Sequence, residues 1–147
     1  MKNEEGRIVA ISISAKKGIP KSNVGEATLI EDWGIEGDAH AGPGHRQVSI
    51  LAVESIDTMR AKGLDVNPGD FAENIATEGI AVASIEIGRK VALGTALIVL
   101  TQIGKECHSR CAIFEQAGDC VMPREGVFGR VLRGGTIRVG DRVTVEP

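Results

Sequence analysis

Aromatic residues are scarce in this 147-residue chain: Trp33, Phe71, Phe114 and Phe128 are all it has, with no Tyr. That leaves little for the base-stacking platforms of single-stranded nucleic-acid binders. An excess of positive charge is also missing. The formal net charge is −3 and the pI near 5.6, so no general polyanion-binding surface and no nucleic-acid partner are expected, though a local basic pocket stays compatible. Long apolar runs are absent. Nothing approaches the ~18 residues of a membrane span, so no membrane partner is expected. The N-terminal "MKNEEGRIVAISIS" lacks the basic start, long apolar stretch and small-residue cleavage site of a secretory signal. Cysteine is missing everywhere outside residues 107–120. An odd set of three, without a secretory signal, points to a reducing cytoplasm and to functional or metal-bound thiols, not a disulfide framework.

What is present suits one domain with a real core, since 42% of residues are hydrophobic. The dominant texture is short β-prone runs cut by glycine. "RIVAISIS" (7–14) alternates and predicts a strand with Val9, Ile11 and Ile13 on one face. "EATLIED" (26–32) and "QVSIL" (47–51) read as strands, and "ALIVL" (96–100) as a strand covered on both faces. "IEIGRKVAL" (85–93) and "IRVGDRVTV" (137–145) share one pattern and predict two β-hairpins turned at glycine. Helices look few. "AVESIDTMRAKG" (52–63) has helical spacing and a stop at Gly63. "PGDFAENI" (68–75) predicts a short helix, with Asp70 as cap and Glu73 completing a capping box. "HSRCAIFEQAGD" (108–119) predicts a helical turn or two. The expected fold is mainly β: a closed or nearly closed barrel with a few short helices.

Four stretches could carry chemistry. "GIEGDAHAGPGHRQVS" (34–49) sets Asp38, His40, His45 and Arg46 among small residues. Such a loop can approach a ligand closely and offer backbone N–H groups to an anion; it is otherwise a polar connection. His40 and His45 are five apart, a poor match to the i,i+4 spacing of helical zinc ligands. In "NPGDFAENIATEGIAV" (67–82), Asp70 and Glu73 are either acid–base carboxylates or caps, and Asn74 either bonds a ligand or fixes a loop. The segment "GKECHSRCAIFEQAGDC" (104–120) holds Cys107, Cys111 and Cys120, with His108 beside the first. A tetrahedral zinc site is one reading. A redox couple would prefer C-x2-C. A thiolate nucleophile, sulfur carrier or soft-metal ligand is the remaining functional reading, and Lys105 and Arg110 would lower a thiol pKa. Any single cysteine, Cys120 foremost, can be plain core. Finally, Arg124, Arg130 and Arg133 follow closely and suit phosphate or oxyanion recognition, or a solvated face.

Together these stretches resemble the MOSC domain, named for the C-terminal domain of molybdenum cofactor sulfurases. "GIEGDAHAG" with "RQVSIL" looks like the family's G-D-x-H…Q-V-S segment. "NPGDFAENIATEGI" resembles its P-G-D-F-x-E-N block. "IGRKVALGTALIVLTQIGKECH" resembles the run ending G-x-x-C at Cys107, and "EGVFGRVLRGGTIRVGDRV" the closing block. The blocks fall in family order over residues 7–145, with 1–6 as a short N-terminal extension.

The resemblance implies a single MOSC-type β-barrel and a site for the molybdenum cofactor, a phosphorylated pterin dithiolene. The essential cysteine would be Cys107, which matches the stand-alone members, or Cys111, which matches the "S-R-C" metal ligand of the family's reductases. Either would be the catalytic and metal-binding thiolate. Cofactor-binding residues would come from Asp38, His40, Arg46, Asn74, Lys105, His108, Arg110, Arg124 and Arg130. The first functional expectation is a cofactor-binding or sulfur-carrier protein in cofactor maturation or delivery. Its partners would be molybdenum-cofactor biosynthesis proteins or client molybdoenzymes. The alternative is a molybdenum-dependent reductase of N-hydroxylated compounds, needing an external electron donor. A structural zinc β-domain is the third. Enzymatic activity is open between sulfur transfer and oxidoreduction. The chain is too short to add the aminotransferase-like domain of larger members, so no pyridoxal phosphate module is expected.

Overall fold

The computed structural model describes residues 5–16, 19–104 and 125–147. Seven strands close into a barrel. β1 (Glu5–Ile13) lies between β11 (Arg142–Val145) and β6 (Ile75–Glu78). The circuit continues from β11 through β7 (Lys90–Leu93), β8 (Ala96–Ile103), β9 (Val127–Arg133) and β5 (Val48–Ala52) back to β6. All neighbours are antiparallel except β5 and β6, which are joined by the helix α1 (Val53–Arg60). A parallel pair needs such a crossover, because a tight turn can only reverse the chain. β2 (Ser22–Asn23) adds to the end of β1. β3 (Glu26–Ile30), β4 (Gly34–Ile35) and β10 (Gly135–Arg138) form a separate three-stranded sheet.

The barrel interior is aliphatic, with Ile8, Ile11, Ile50, Ile75, Ile98 and Val131 among its residues. Leu29, Ile35 and Ile137 of the small sheet join this core, as do Ile80 and Val82. A second cluster forms where α1 lies on the outside of the wall: Ile56 and Met59 pack on Ala10, Leu51, Ala76 and Phe128. The expected helix is therefore present, shorter than its pattern, with the chain turning at Gly63 at φ +92°.

Other expectations are corrected. A register shift in the β1–β6 pairing falls between Ile8 and Ala10. Such an extra residue reverses the facing of what precedes it. Ile8, Ile11 and Ile13 therefore belong with the barrel core, and Val9 goes with the helix-side cluster. β8 is not covered on both faces: its residues alternate between buried and half-buried. The two expected hairpins do not form. Ile85–Arg89 is a turn region leading into β7, and β10 and β11 belong to different sheets. The repeated pattern has another meaning. Gly88 and Gly140 sit at φ +93° and +97°, and each turn feeds one of two adjacent antiparallel strands, β7 and β11.

The segment 68–75 is likewise not a helix: residues 68–74 form a turn and Ile75 begins β6. Gly69 at φ +97° and Ala72 at φ +64° are left-handed, which a right-handed helix cannot accommodate. A Cβ on Gly69 would drive into the backbone carbonyl of Lys21. Gly69→Ala should therefore cost about 2–3 kcal/mol. Urea unfolding would measure this; an unchanged midpoint would contradict it.

Candidate functional site

Of the predicted site residues, Cys107, Cys111, Lys105, His108, Arg110 and Arg124 lie outside the described residues. So do the expected helix over 108–119, and Cys120. The remaining ones fall in two groups joined by the 38–46 loop.

The first group is a buried polar cluster near the C-terminal end of β1. Lys21 Nζ lies 2.7 Å from Asp38 Oδ1, and both side chains are fully buried. Lys21 also donates to Ser14 Oγ at 3.0 Å. Asp38 in turn accepts the backbone N–H groups of Ser14 and His40, both at 3.1 Å. Burial alone would raise the Asp38 carboxyl. Hydrogen bonds from Lys21 and Asn74, with the charge of Lys21, outweigh it and hold the pKa below the ordinary value of 3.8. His40 is half-buried, with Nδ1 4.0 Å from Asp38 Oδ2. Asn74 accepts from Ser49 N at 3.0 Å and donates to Ser12 O at 3.2 Å. Asp38 and Asn74 thus spend their side chains on the protein, fixing the start of the loop and the floor beneath it.

Glu73 extends this floor. Its carboxylate accepts Gly69 N at 2.7 Å and Phe71 N at 3.2 Å, closing the turn that the sequence suggested as a helix start. Asp70 accepts Asn67 N at 2.8 Å. Burial pushes Glu73 up from 4.5 to about 7, against the pull of those N–H groups. The folded state therefore holds this proton more tightly than the unfolded chain. The stabilisation it brings is complete below pH 4.5 and is lost as pH rises through about 7. Glu73→Gln should flatten this loss between pH 5 and 8. Stability curves across that range would show it; an identical slope in the variant would contradict it.

The second group lies on the outer face of β9. Arg46 is exposed, and its guanidinium carbon is 5.9 Å from the centre of the Phe128 ring, within cation–π range. Arg130 Nε donates to Asp32 Oδ1 at 2.6 Å. The same oxygen accepts Gln47 Nε2 at 3.1 Å, and Gln47 Oε1 accepts Val131 N at 3.0 Å. The Arg130 hydrogen bond, then that of Gln47, hold the Asp32 carboxyl below its ordinary value.

The loop reaches from this group to the foot of the cysteine segment. His45 Nε2 and Gln102 Oε1 are 2.8 Å apart, and Thr101 Oγ1 donates to His45 O. Gln102 Nε2 also donates to Gly104 O at 2.6 Å, and Gly104 N donates to Gly126 O at 2.6 Å. Gly104 and Gly126 are thus the paired feet from which residues 105–125 depart. Between the loop's ends, Gly42 and Gly44 adopt φ +152° and +125°, and nothing lies within 4 Å of where a Cβ would stand on either. A side of each therefore faces open space, although the Gly42 N–H is spent on Trp33 O at 2.8 Å. Among the described residues, no three His, Cys, Asp or Glu side chains converge as a metal site. His40 and His45 serve different partners, Asp38 and Gln102.

Lys21, Asp32, Gln47 and Gln102 were not singled out by the sequence. A lone lysine between Pro20 and Ser22 carries no local sign that it will be buried against Asp38. Gln47 was visible only as part of "RQVS".

No helix among the described residues is long and apolar enough to cross a membrane. None of the curated proteins compared with the chain matches it. Solved structures do resemble it. The YuaD protein from Bacillus subtilis is 17% identical with a TM-score of 0.80, over 96% of this chain and 95% of that one. YiiM from Geobacillus stearothermophilus is 20% identical with a TM-score of 0.71, over 97% and 75%. YiiM from Escherichia coli is 20% identical with a TM-score of 0.66, over 96% and 70%. At such identities the likeness is one of fold. The sequence profile of the MOSC domain matches residues 36–144, which takes in the loop, the barrel strands β5 to β9 and the cysteine segment, and the chain belongs to the MOSC domain family.

Proposed function

We propose that this protein binds the molybdenum cofactor, or a precursor of it, through a cysteine thiolate. It would then pass sulfur or metal to cofactor-biosynthesis proteins or client molybdoenzymes. The family is associated with molybdenum-cofactor binding and sulfurase-related functions. One observation of the structure carries the finer reading. The 38–46 loop is bonded to the foot of the cysteine segment through His45, Thr101 and Gln102. Cys107 follows Gly104 by three residues, so covalent geometry keeps the two Cα atoms within about 11 Å.

The donor types fit such a group. The open backbone at Gly44 and the Arg46 fork suit phosphate or oxo oxygens. A thiolate suits the soft metal. When bound, the group would supply a redox-active metal and a terminal ligand position. The protein's own residues would do the rest. Arg46 would bind anionic oxygens, and the Lys21–Asp38 pair would hold the loop in place. Cys107 stands ahead of Cys111 as the thiolate because it matches the stand-alone pattern. Purified under reducing, anaerobic conditions from a host that makes the cofactor, the protein should carry molybdenum and pterin. A clean absence of both contradicts the reading.

A further inference from the structure

Glu73 is 1% exposed, and the two groups bonded to its carboxylate are both backbone N–H groups. Gly69 N lies 2.7 Å from Oε2 and Phe71 N lies 3.2 Å from Oε1. Both oxygens therefore accept, which is the arrangement of an ionised carboxylate. Burying that charge without a counter-charge is costly, and the neighbouring Asp70 adds to the cost. The neutral acid is costly in another way. It carries an O–H donor, and both partners of Glu73 are donors already. A proton on either oxygen displaces one N–H or weakens its bond. Ionisation thus burdens the fold as a whole while it tightens the turn, and protonation does the reverse.

Gly69 passes this choice on. Its carbonyl accepts Lys21 N at 2.7 Å, and its α-carbon packs so closely on Lys21 O that a Cβ would overlap it. The Lys21 ammonium is the counter-charge of Asp38 at 2.7 Å and bonds Ser14 Oγ at 3.0 Å. Asp38 in turn accepts His40 N and so holds the start of the 38–46 loop. An unbroken chain of polar contacts runs Glu73–Gly69–Lys21–Asp38–His40. The other charged groups around this turn have partners of their own. Arg60 of α1 donates to Val66 O and to Asp57, and Asp70 accepts Asn67 N. β1 and β5 meet the turn through neutral groups, Ser12 and Ser49, both bonded to Asn74.

We propose that the 68–74 turn is a proton-controlled clasp on the 38–46 loop. Ionised, Glu73 grips Gly69 and so holds the Lys21–Asp38 anchor of the loop in one position. Protonated, it releases one of its two N–H groups, and the anchor gains freedom to shift. A ligand held by the loop would bind more tightly with Glu73 ionised, through a two-state element that does not touch the ligand. The clasp goes beyond the cofactor reading and stands whatever the loop binds.

Amide NMR of the isotope-labelled wild-type protein, from about pH 5 to about pH 9, tests it. The Gly69 amide proton should titrate with a midpoint of about 7, the value to which burial pushes the Glu73 carboxyl. The amides of Lys21 and His40 should follow with the same midpoint. Corrected for intrinsic rates, hydrogen exchange at Lys21 N–H should be about tenfold slower at the alkaline end than at the acid end. Glu73→Gln should abolish both the shared titration and the exchange difference. An imidazole can titrate in the same range, so His40→Gln is the control, and it should leave the Gly69 and Lys21 titrations in place. A Gly69 resonance that stays flat overturns the proposal. So does a titration confined to residues 69–73 with Lys21 and His40 unmoved, or one that survives Glu73→Gln. Should that variant not fold, the wild-type titration with the His40→Gln control still decides. None of these readings needs bound cofactor, so protein isolated without molybdenum loses the cofactor reading and leaves the clasp to its own test.

Discussion

Cys107→Ser should strip molybdenum from the protein as isolated, lowering metal per chain by well over a factor of ~10. Losing a metal's supporting second-shell contacts typically costs about 10–100-fold in affinity, and losing the ligand itself should cost more. Serine keeps the shape but replaces a soft thiolate by a hydroxyl that stays protonated at neutral pH and binds soft metals poorly. Cys111→Ser should have the smaller effect, and Cys120→Ser the smallest. Elemental analysis of anaerobically purified variants reads this directly. The barrel supplies its own aliphatic core, so thermal melting should be little changed. Loss of metal in Cys111→Ser with full retention in Cys107→Ser would exchange their roles. Retention in both would remove the segment from the site.

The second large effect concerns stability. Asp38→Asn should cost about 3–5 kcal/mol, because it leaves the Lys21 ammonium buried without its counter-charge. Adding Lys21→Met to that variant should recover part of the loss, since the uncompensated charge goes with it. Recovery should be incomplete, because Asp38 also accepts the N–H groups of Ser14 and His40. Acid should mimic the single variant. The Asp38 pKa is held below 3.8 in the fold, so its contribution is present above that pH and is lost as pH falls through the lowered value. Denaturant titrations of the two variants test the pair; additive losses would show that the two side chains are not energetically coupled.

Periodicity made much of this fold legible. The runs at 26–32, 47–51 and 96–100 became β3, β5 and β8, and the pattern at 52–63 became α1. The failures have physical causes. Alternation cannot anticipate a bulge, so Val9 was placed on the wrong side of β1. Gly-x-basic before apolar-x-apolar specifies a turn and the strand after it, but not which strand lies alongside, so two apparent hairpins proved to be the two turns feeding β7 and β11. The capping signature at 68–75 reported a real local bond, Glu73 to the N–H of Gly69, within a turn whose left-handed residues prevent a helix.

The candidate site was legible in its residue types and less so in its wiring. Asp38, His40 and Asn74 do meet in one cluster, and Arg130 shares Asp32 with Gln47, the residue after Arg46. The connector Lys21 belongs to no quoted motif, and Asp32, Gln47 and Gln102 stood in quoted stretches without a role of their own, since each acts on a partner distant in sequence.

The central claim is that a thiolate of the 104–120 segment holds the cofactor's metal. X-ray absorption at the molybdenum edge of cofactor-loaded protein tests it most directly. The expected result is a sulfur ligand beyond those of the dithiolene, lost when Cys107 and Cys111 are both replaced by serine. A sulfur shell identical in the wild-type protein and that double variant would contradict it.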